Sequence, residues 1–94
     1  MVVLQIEHPV PSFEGWKHAF DSDPVGRQRS GVRHHRVLRP INDPNYALIE
    51  LEFDSVVAAE TMLAALHDLW GRVEGTVMSN PQTRIVEIVE TKAY

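Results

Sequence analysis

The sequence predicts a small α+β domain whose strands and helices follow in the order βαββαβ. Four segments have the β-branched, apolar and alternating character of strands, and two others repeat apolar residues at helical spacing. With 94 residues the chain has room for one domain, residues 1–94. A domain of this size buries only about 60–65% of its unfolded surface, so an interface with a second copy would add stability.

The first strand and the first helix come from the N-terminal part of the chain. Residues Val2 to Val10 alternate, with Leu4 and Ile6 on one side and Gln5 on the other, as in a half-buried strand. Ser12 is placed to cap a helix that begins at Phe13. Three aromatic residues recur along that helix at helical spacing: Phe13, Trp16 and Phe20.

A β-hairpin is predicted next. Its first strand runs from about Val32 to Arg39 and its second from Tyr46 to Phe53, with the turn-forming residues 40–45 between them. In the preferred register Val37 pairs with Ile49, so that His35 faces the helices beside Leu51. A shift by one residue would exchange the two faces of the first strand, and the sequence leaves that alternative open.

The second helix and the last strand complete the domain. Asp54 or Ser55 caps a helix from Val56 to about Trp70 with an apolar stripe at i, i+3 and i+4 spacing. Residues 71–82 form a loop, and residues 83–90 form a strand whose Val86 and Ile88 are expected to face the helices.

Right-handed crossovers arrange these elements as a ferredoxin-like sandwich. The four antiparallel strands take the order 4-1-3-2, and both helices lie on one face of the sheet. The helix-free face still carries apolar residues, which two sheets packed face to face would bury: Val3, Tyr46, Leu48, Ile85 and Val89. We therefore predict a homodimer.

Composition excludes several classes of protein. The 13 acidic residues outnumber the 9 basic ones, which argues against a general nucleic-acid binder. The absence of cysteine removes thiol chemistry and fits the reducing cytoplasm. No apolar run approaches the ~20 residues of a membrane span, and the N-terminal apolar stretch is too short for a signal peptide. We expect a cytoplasmic protein that contacts neither nucleic acid nor membrane.

Several motifs resemble those of the dimeric α+β barrel superfamily that contains the antibiotic biosynthesis monooxygenase-like proteins. They are the run GVRHHRVLRP at residues 31–40, the Asp43-Pro44-Asn45 turn, and Glu52-Phe53-Asp54-Ser55 before an alanine-rich helix. The resemblance implies a homodimer with a pocket between sheet and helices in each subunit. Where members of the superfamily carry an asparagine on the first strand and a tryptophan on the second helix, this chain has Ile6 and, approximately, Met62.

The run Arg33-His34-His35-Arg36 supplies the candidate catalytic residues. Neighbours on a strand point to opposite faces, so the two histidines cannot converge on one metal ion, and no metal site is predicted. A helix-side His35 could accept a proton from a phenol or an enol carbon, with Tyr46 or Arg33 polarising a substrate oxygen. The alternative is a core or interface histidine that is satisfied by protein groups.

A flat aromatic ligand could be held by residues on the helices and the third strand. The candidate pocket residues are Trp16, Phe20, Phe53, Leu66, His67 and Trp70, although stripes of this kind ordinarily form core. We predict a monooxygenase-like or cyclase-like protein for a small aromatic or polyketide-like compound. The alternative is a non-catalytic ligand-binding or stress-type dimerisation module. No cofactor is expected, and haem bound through a histidine stays open.

Overall fold

The computed structural model describes residues 1–73 and 78–94 and has the predicted element order. Its elements are β1 (Val2–Pro9), α1 (Phe13–Asp21), β2 (His34–Leu38), β3 (Tyr46–Phe53), α2 (Val56–Val73) and β4 (Gln82–Glu87). The strands form one antiparallel sheet with the order β2-β3-β1-β4, which is the predicted order read from its other edge. The ferredoxin-like sandwich is confirmed.

The two central strands bury one face and leave the other half-exposed. Along β1 and β3 buried and intermediate residues alternate strictly, because successive side chains of a strand point to opposite faces. The buried set packs against α1 and α2 and forms the core, which includes Leu4, Leu51, Phe53, Met62 and Trp70. The core therefore lies on the helix side of the sheet.

Both helices begin at the caps that the sequence predicts. The Oγ atom of Ser12 accepts a hydrogen bond from the backbone N–H of Gly15 at 3.2 Å. At the start of α2, the Oγ atom of Ser55 accepts one from the N–H of Ala58, also at 3.2 Å. Each hydroxyl satisfies a backbone donor that has no partner within the first helical turn.

The hairpin has the preferred register. Val37 lies opposite Ile49, and His35 lies opposite Leu51. Arg36 lies opposite Glu50, and its Nε donates a hydrogen bond to Oε1 of that glutamate at 2.9 Å. The cross-strand ion pair on the helix-free side was also predicted, and it supports this register over the shifted one.

We call the helix-free side of the sheet the open face. It carries the half-exposed residues of the central strands and their neighbours on the edge strands: Val3, Gln5, Glu7, Tyr46, Leu48, Glu50, Glu52, Arg36 and Val86. Neither α1 nor α2 covers it, so apolar side chains such as Val3 and Leu48 stay partly in contact with water.

The side-chain directions predicted for β4 were wrong. Ile85 lies opposite Leu4 and packs on the core, whereas Val86 lies opposite Val3 on the open face. Apolar residues occupy positions 85, 86, 88 and 89, so the composition of this segment does not distinguish its two sides. Pairing with β1 decides the direction. The strand ends at Glu87, opposite Val2, rather than at position 90, and one further backbone hydrogen bond joins the Ile88 N–H to the Met1 carbonyl at 3.0 Å.

Helix α2 is one turn longer than predicted and continues through Gly71 to Val73. A single glycine is tolerated in a helix at a cost of about 1 kcal/mol. Arg72 in the last turn stabilises the helix, because its positive charge lies near the negative end of the helix dipole. Of the loop predicted for residues 71–82, residues 74–77 lie outside the described part of the chain.

Candidate functional site

A cavity of about 320 Å³ lies between the sheet and the two helices. Its lining is mainly apolar and comes from β1, β3, both helices, the segment after α1 and Met78, which precedes β4. The apolar lining residues are Ile6, Trp16, Ala19, Phe20, Pro24, Val25, Ile49, Leu51, Met62, Leu66, Leu69, Trp70, Val73 and Met78. The polar lining residues are His8, Ser22, Asp23 and Arg27. The cavity lies between the sheet and the helices, where the resemblance implies a pocket.

Four of the six residues predicted for the pocket line this cavity: Trp16, Phe20, Leu66 and Trp70. Phe53 does not, because its side chain is completely buried in the core. His67 does not line it either. It is exposed on α2, where its ring centre lies 5.6 Å from that of Trp70. Ile6 and Met62, the positions at which the resemblance implies an asparagine and a tryptophan, both line the cavity.

Helix α1 carries a row of aromatic rings, of which Trp16 and Phe20 line the cavity and Phe13 does not. The ring centre of Trp16 lies 5.5 Å from that of Phe13 and 5.2 Å from that of Phe20. Residues three and four apart on a helix are neighbours, so this spacing arises directly from the sequence. Because Trp16 is buried and Phe20 only half-buried, the row extends from the core to the rim.

His8 is the buried polar side chain of the cavity. It lies opposite Ala47 near the end of β1 and is only 2% exposed. Its Nδ1 lies 3.2 Å from the carbonyl oxygen of Pro9, and its ring meets that of Trp16 edge-on with 5.6 Å between centres. Burial lowers the pKa of His8 below its ordinary value and outweighs the backbone hydrogen bonds, which raise it.

His8 is absent from the residues predicted for the site, although the sequence contains the signal for it. The alternation that places Leu4 and Ile6 on the helix side continues by two residues to His8. A titratable residue that continues an apolar strand pattern is a candidate buried group.

Arg27 brings a positive charge to the lining of the cavity. Its Nη1 donates a hydrogen bond to the carbonyl of Phe20 at 2.9 Å, and its guanidinium lies 3.9 Å from the centre of that ring. Asp23 accepts a hydrogen bond from the backbone N–H of Arg27 at 2.9 Å. The arginine side chain is only 17% exposed, so these contacts hold it in place.

His35 lies at the rim, outside the residues that line the cavity. Its ring meets that of Phe20 edge-on at 5.3 Å between centres, on the side where β2 forms the edge of the sheet. Desolvation lowers the pKa of His35, and the positive charges of Arg27 and Lys17 lower it further. The side chain is nevertheless exposed, unlike that of His8.

The structure does not bring the three predicted catalytic residues together. Arg33 donates to the Asp54 carboxylate from Nε at 2.9 Å, and this bond raises the pKa of the arginine. Tyr46 lies on the open face, where its hydroxyl donates to Oε1 of Glu7 at 3.1 Å. The pKa of Tyr46 is raised, chiefly by desolvation and to a smaller extent by this hydrogen bond. The sheet separates Tyr46 from His35.

No group of three or more histidine, aspartate or glutamate side chains in the described residues could hold a metal ion. Among the described residues His8 is the histidine that lines the cavity, so a haem, which the sequence leaves open, would be held through His8 and would supply redox chemistry there. None of the described helices is both long and apolar enough to span a membrane.

Comparison with solved structures confirms the fold that the resemblance implied. SnoaB, a cofactor-independent oxygenase from Streptomyces nogalater, superposes with a TM-score of 0.75 at 17% identity, over 96% of this chain and 94% of that chain. A putative antibiotic biosynthesis monooxygenase from Deinococcus radiodurans gives a TM-score of 0.70 at 18% identity, over 100% and 98%. A dimeric ferredoxin-like protein from an uncultured marine organism gives 0.67 at 10% identity, over the whole of both chains.

These structural neighbours are antibiotic biosynthesis monooxygenase-like and dimeric ferredoxin-like proteins. No family model matches the sequence, and no curated protein matches it. At identities of 10–18% the likeness defines the fold class of the chain.

Proposed function

We propose that this protein is a homodimer that binds a small aromatic or polyketide-like compound in the cavity of each subunit and oxygenates or cyclises it. The observation that carries the proposal is the apolar cavity of about 320 Å³ between Trp16 and Trp70. Cavities that bind small organic ligands commonly measure about 300–1,000 Å³ and combine an apolar lining with a few polar groups. The size favours a ligand of two or three fused rings.

The polar groups at the cavity favour a ligand that carries oxygen functions. His8 supplies a buried imidazole, and Arg27 supplies a positive charge to the lining. A ligand with a hydroxyl or carbonyl on a flat apolar frame would satisfy both properties of the lining. Electron-rich phenolates react with dioxygen unaided, so the proposed oxygenation requires no bound cofactor.

The open face supports the proposed homodimer. Val3, Leu48 and Val86 would be removed from water if two copies packed sheet against sheet, and the Arg36–Glu50 pair would border them. One neighbouring fold is that of a dimeric protein. Dimerisation through this face would leave the cavity accessible, because the cavity lies on the helix side.

Calorimetric titration with 1-naphthol tests the proposed binding site. We expect binding by the unmodified protein, loss of binding in Leu66→Trp, which fills the cavity, and retention in Ala65→Trp, which places the same side chain at an exposed position of α2. Circular dichroism establishes that both variants fold. Absence of binding by the unmodified protein, or equal binding by the two variants, would contradict the proposal.

Oxygen uptake with 1,5-dihydroxynaphthalene tests the proposed reaction. Each molecule converted into the hydroxynaphthoquinone consumes one dioxygen, transfers one oxygen atom to carbon and releases the other as water. We expect uptake above the rate in buffer. The role of His35 as proton acceptor stays part of the proposal, and His35→Ala should then lower uptake without weakening binding. Unchanged uptake would remove that role.

A second candidate function is non-catalytic ligand binding. The observation in its favour is that Arg33 and Tyr46 lie away from the cavity, with each bonded to a carboxylate. Binding of 1-naphthol without any oxygen uptake above the buffer rate would support this candidate over the enzyme.

A further inference from the structure

The hydrogen bond between His8 and Pro9 determines which ring nitrogen of His8 carries the proton. A carbonyl oxygen only accepts, so Nδ1, at 3.2 Å from the oxygen of Pro9, must be the donor. In a neutral imidazole the other nitrogen then carries a lone pair. Nε2 of His8 is therefore a hydrogen-bond acceptor.

This acceptor has no recorded hydrogen-bond partner in the described part of the chain. Within residues 1–73 and 78–94 no protein group bonds to Nε2, and no buried side-chain nitrogen or oxygen there lacks a partner. Because Nε2 is not among the inaccessible atoms without a partner, it keeps some accessible surface. Because the residue is only 2% exposed and lines the cavity, the space that it reaches is the cavity.

The surroundings hold the ring in this state. Burial disfavours the charged form and lowers the pKa of His8. The other charged residues that line the cavity, Asp23 and Arg27, contact each other through the hydrogen bond from the arginine N–H. The edge-on contact with Trp16 fixes the plane of the imidazole.

We propose that Nε2 of His8 accepts a hydrogen bond from the hydroxyl of a phenol or enol bound in the cavity and thereby selects hydroxylated aromatic ligands. This inference rests on the proposed function, since it names the ligand class of the same cavity. A buried acceptor that loses its water and gains no donor costs free energy, so a ligand without the hydroxyl is disfavoured.

Two ligands of the same ring system isolate this contact. 1-Naphthol has a donor, whereas 1-methoxynaphthalene has none, and calorimetry at about pH 7.5 measures both affinities. We expect the unmodified protein to prefer 1-naphthol about tenfold, the effect of one buried hydrogen bond.

Two substitutions of the histidine separate its nitrogens. In His8→Asn the amide occupies the place of Nδ1 and the acceptor at Nε2 is lost. In His8→Gln the amide oxygen occupies the place of Nε2. The preference should fall to about onefold in His8→Asn and persist in His8→Gln. Each preference is the ratio of the two affinities measured with one protein. The extra bulk of the methoxy group enters every ratio alike, so a change of preference between variants reports the hydrogen bond.

Each outcome decides a different point. Equal affinities in the unmodified protein, or an undiminished preference in His8→Asn, would overturn the role of His8 while the cavity remains a binding site. Failure of both ligands to bind would overturn the proposed function and this inference together. If the variants do not fold, long-range ¹H–¹⁵N spectra of the unmodified protein decide: Nδ1 must be protonated and Nε2 unprotonated, and the reverse would refute the inference.

Discussion

The buried His8 should make the stability of this protein fall as the pH is lowered from about 7.5 to about 5.5. Burial lowers the pKa of this histidine in the folded state, whereas in the unfolded chain it titrates near 6.5. Below about pH 6.5 the unfolded chain therefore binds more protons than the folded one, and the free energy of unfolding decreases. The contribution of His8 is fully present above that range.

The size of the effect has a ceiling that follows from the titration of one group. A histidine that stays neutral in the folded state loses at most about 1.4 kcal/mol of stability between these two pH values. The His8 side chain is 2% exposed, so solvent screening reduces this loss of stability only slightly. Lys17 lowers the pKa of Asp21, and Arg33 lowers that of Asp54. The protein therefore loses the stabilising contribution of these two carboxylates only at more acidic pH.

Urea unfolding at the two pH values, at one fixed protein concentration, measures the change. His8→Asn is the matched variant, since it retains a side-chain donor for the Pro9 carbonyl and removes the titration. The loss of stability between the two pH values should be about 1 kcal/mol smaller in His8→Asn. Equal losses in the two proteins, or a gain of stability on acidification, would refute the argument that His8 is buried and neutral.

Three further predictions concern the interface, the cavity wall and the backbone. Leu48→Glu should convert the proposed dimer into monomers in sedimentation velocity, whereas Val57→Glu, on the exposed side of α2, should leave it intact; a dimeric Leu48→Glu would contradict the interface. Trp70→Ala should lower the free energy of unfolding by about 3 kcal/mol in urea, and a loss below about 1 kcal/mol would show that the residue is not packed. Gly31→Ala should destabilise the protein by about 1 kcal/mol, because Gly31 has a φ of 95°. Gly71→Ala, in α2 with no described atom near the added methyl, should stabilise it by up to about 1 kcal/mol. A higher urea unfolding midpoint for Gly31→Ala than for Gly71→Ala would refute this.

Local patterns were sufficient to predict most of the fold. The alternation in β3 gave both of its ends, and the serine caps gave the starts of α1 and α2. The Arg36–Glu50 pair selected the correct hairpin register, because the shifted register would have placed the arginine in the core.

The sequence was less informative where the neighbouring strand or helix decides the outcome. In β4 both sides are apolar, and the choice between Ile85 and Val86 depends on pairing with β1. The end of α2 was missed because glycine lowers helix propensity without preventing a helix, so Gly71 is not a terminator on its own.

The candidate site was predicted only in part, for a geometric reason. Trp16 and Trp70 could be placed at the cavity because helical spacing puts them on the inner faces of their helices. His35 and Tyr46 were grouped by their chemistry, although their positions on the strands put them on opposite faces of the sheet. His8 could have been found by continuing the alternation of β1 by one step.

The strict alternation of β1 has an evolutionary consequence. Ile6 and His8 border the cavity, and Gln5 and Glu7, their neighbours in the chain, lie on the opposite surface of a sheet one strand thick. A mutation at an even position can thus reshape the chamber without altering the outer surface, and a mutation at an odd position can do the converse. Descendants of this protein could change the ligand that they bind and the way in which their subunits associate in separate steps. Both changes would lie within one segment of eight residues.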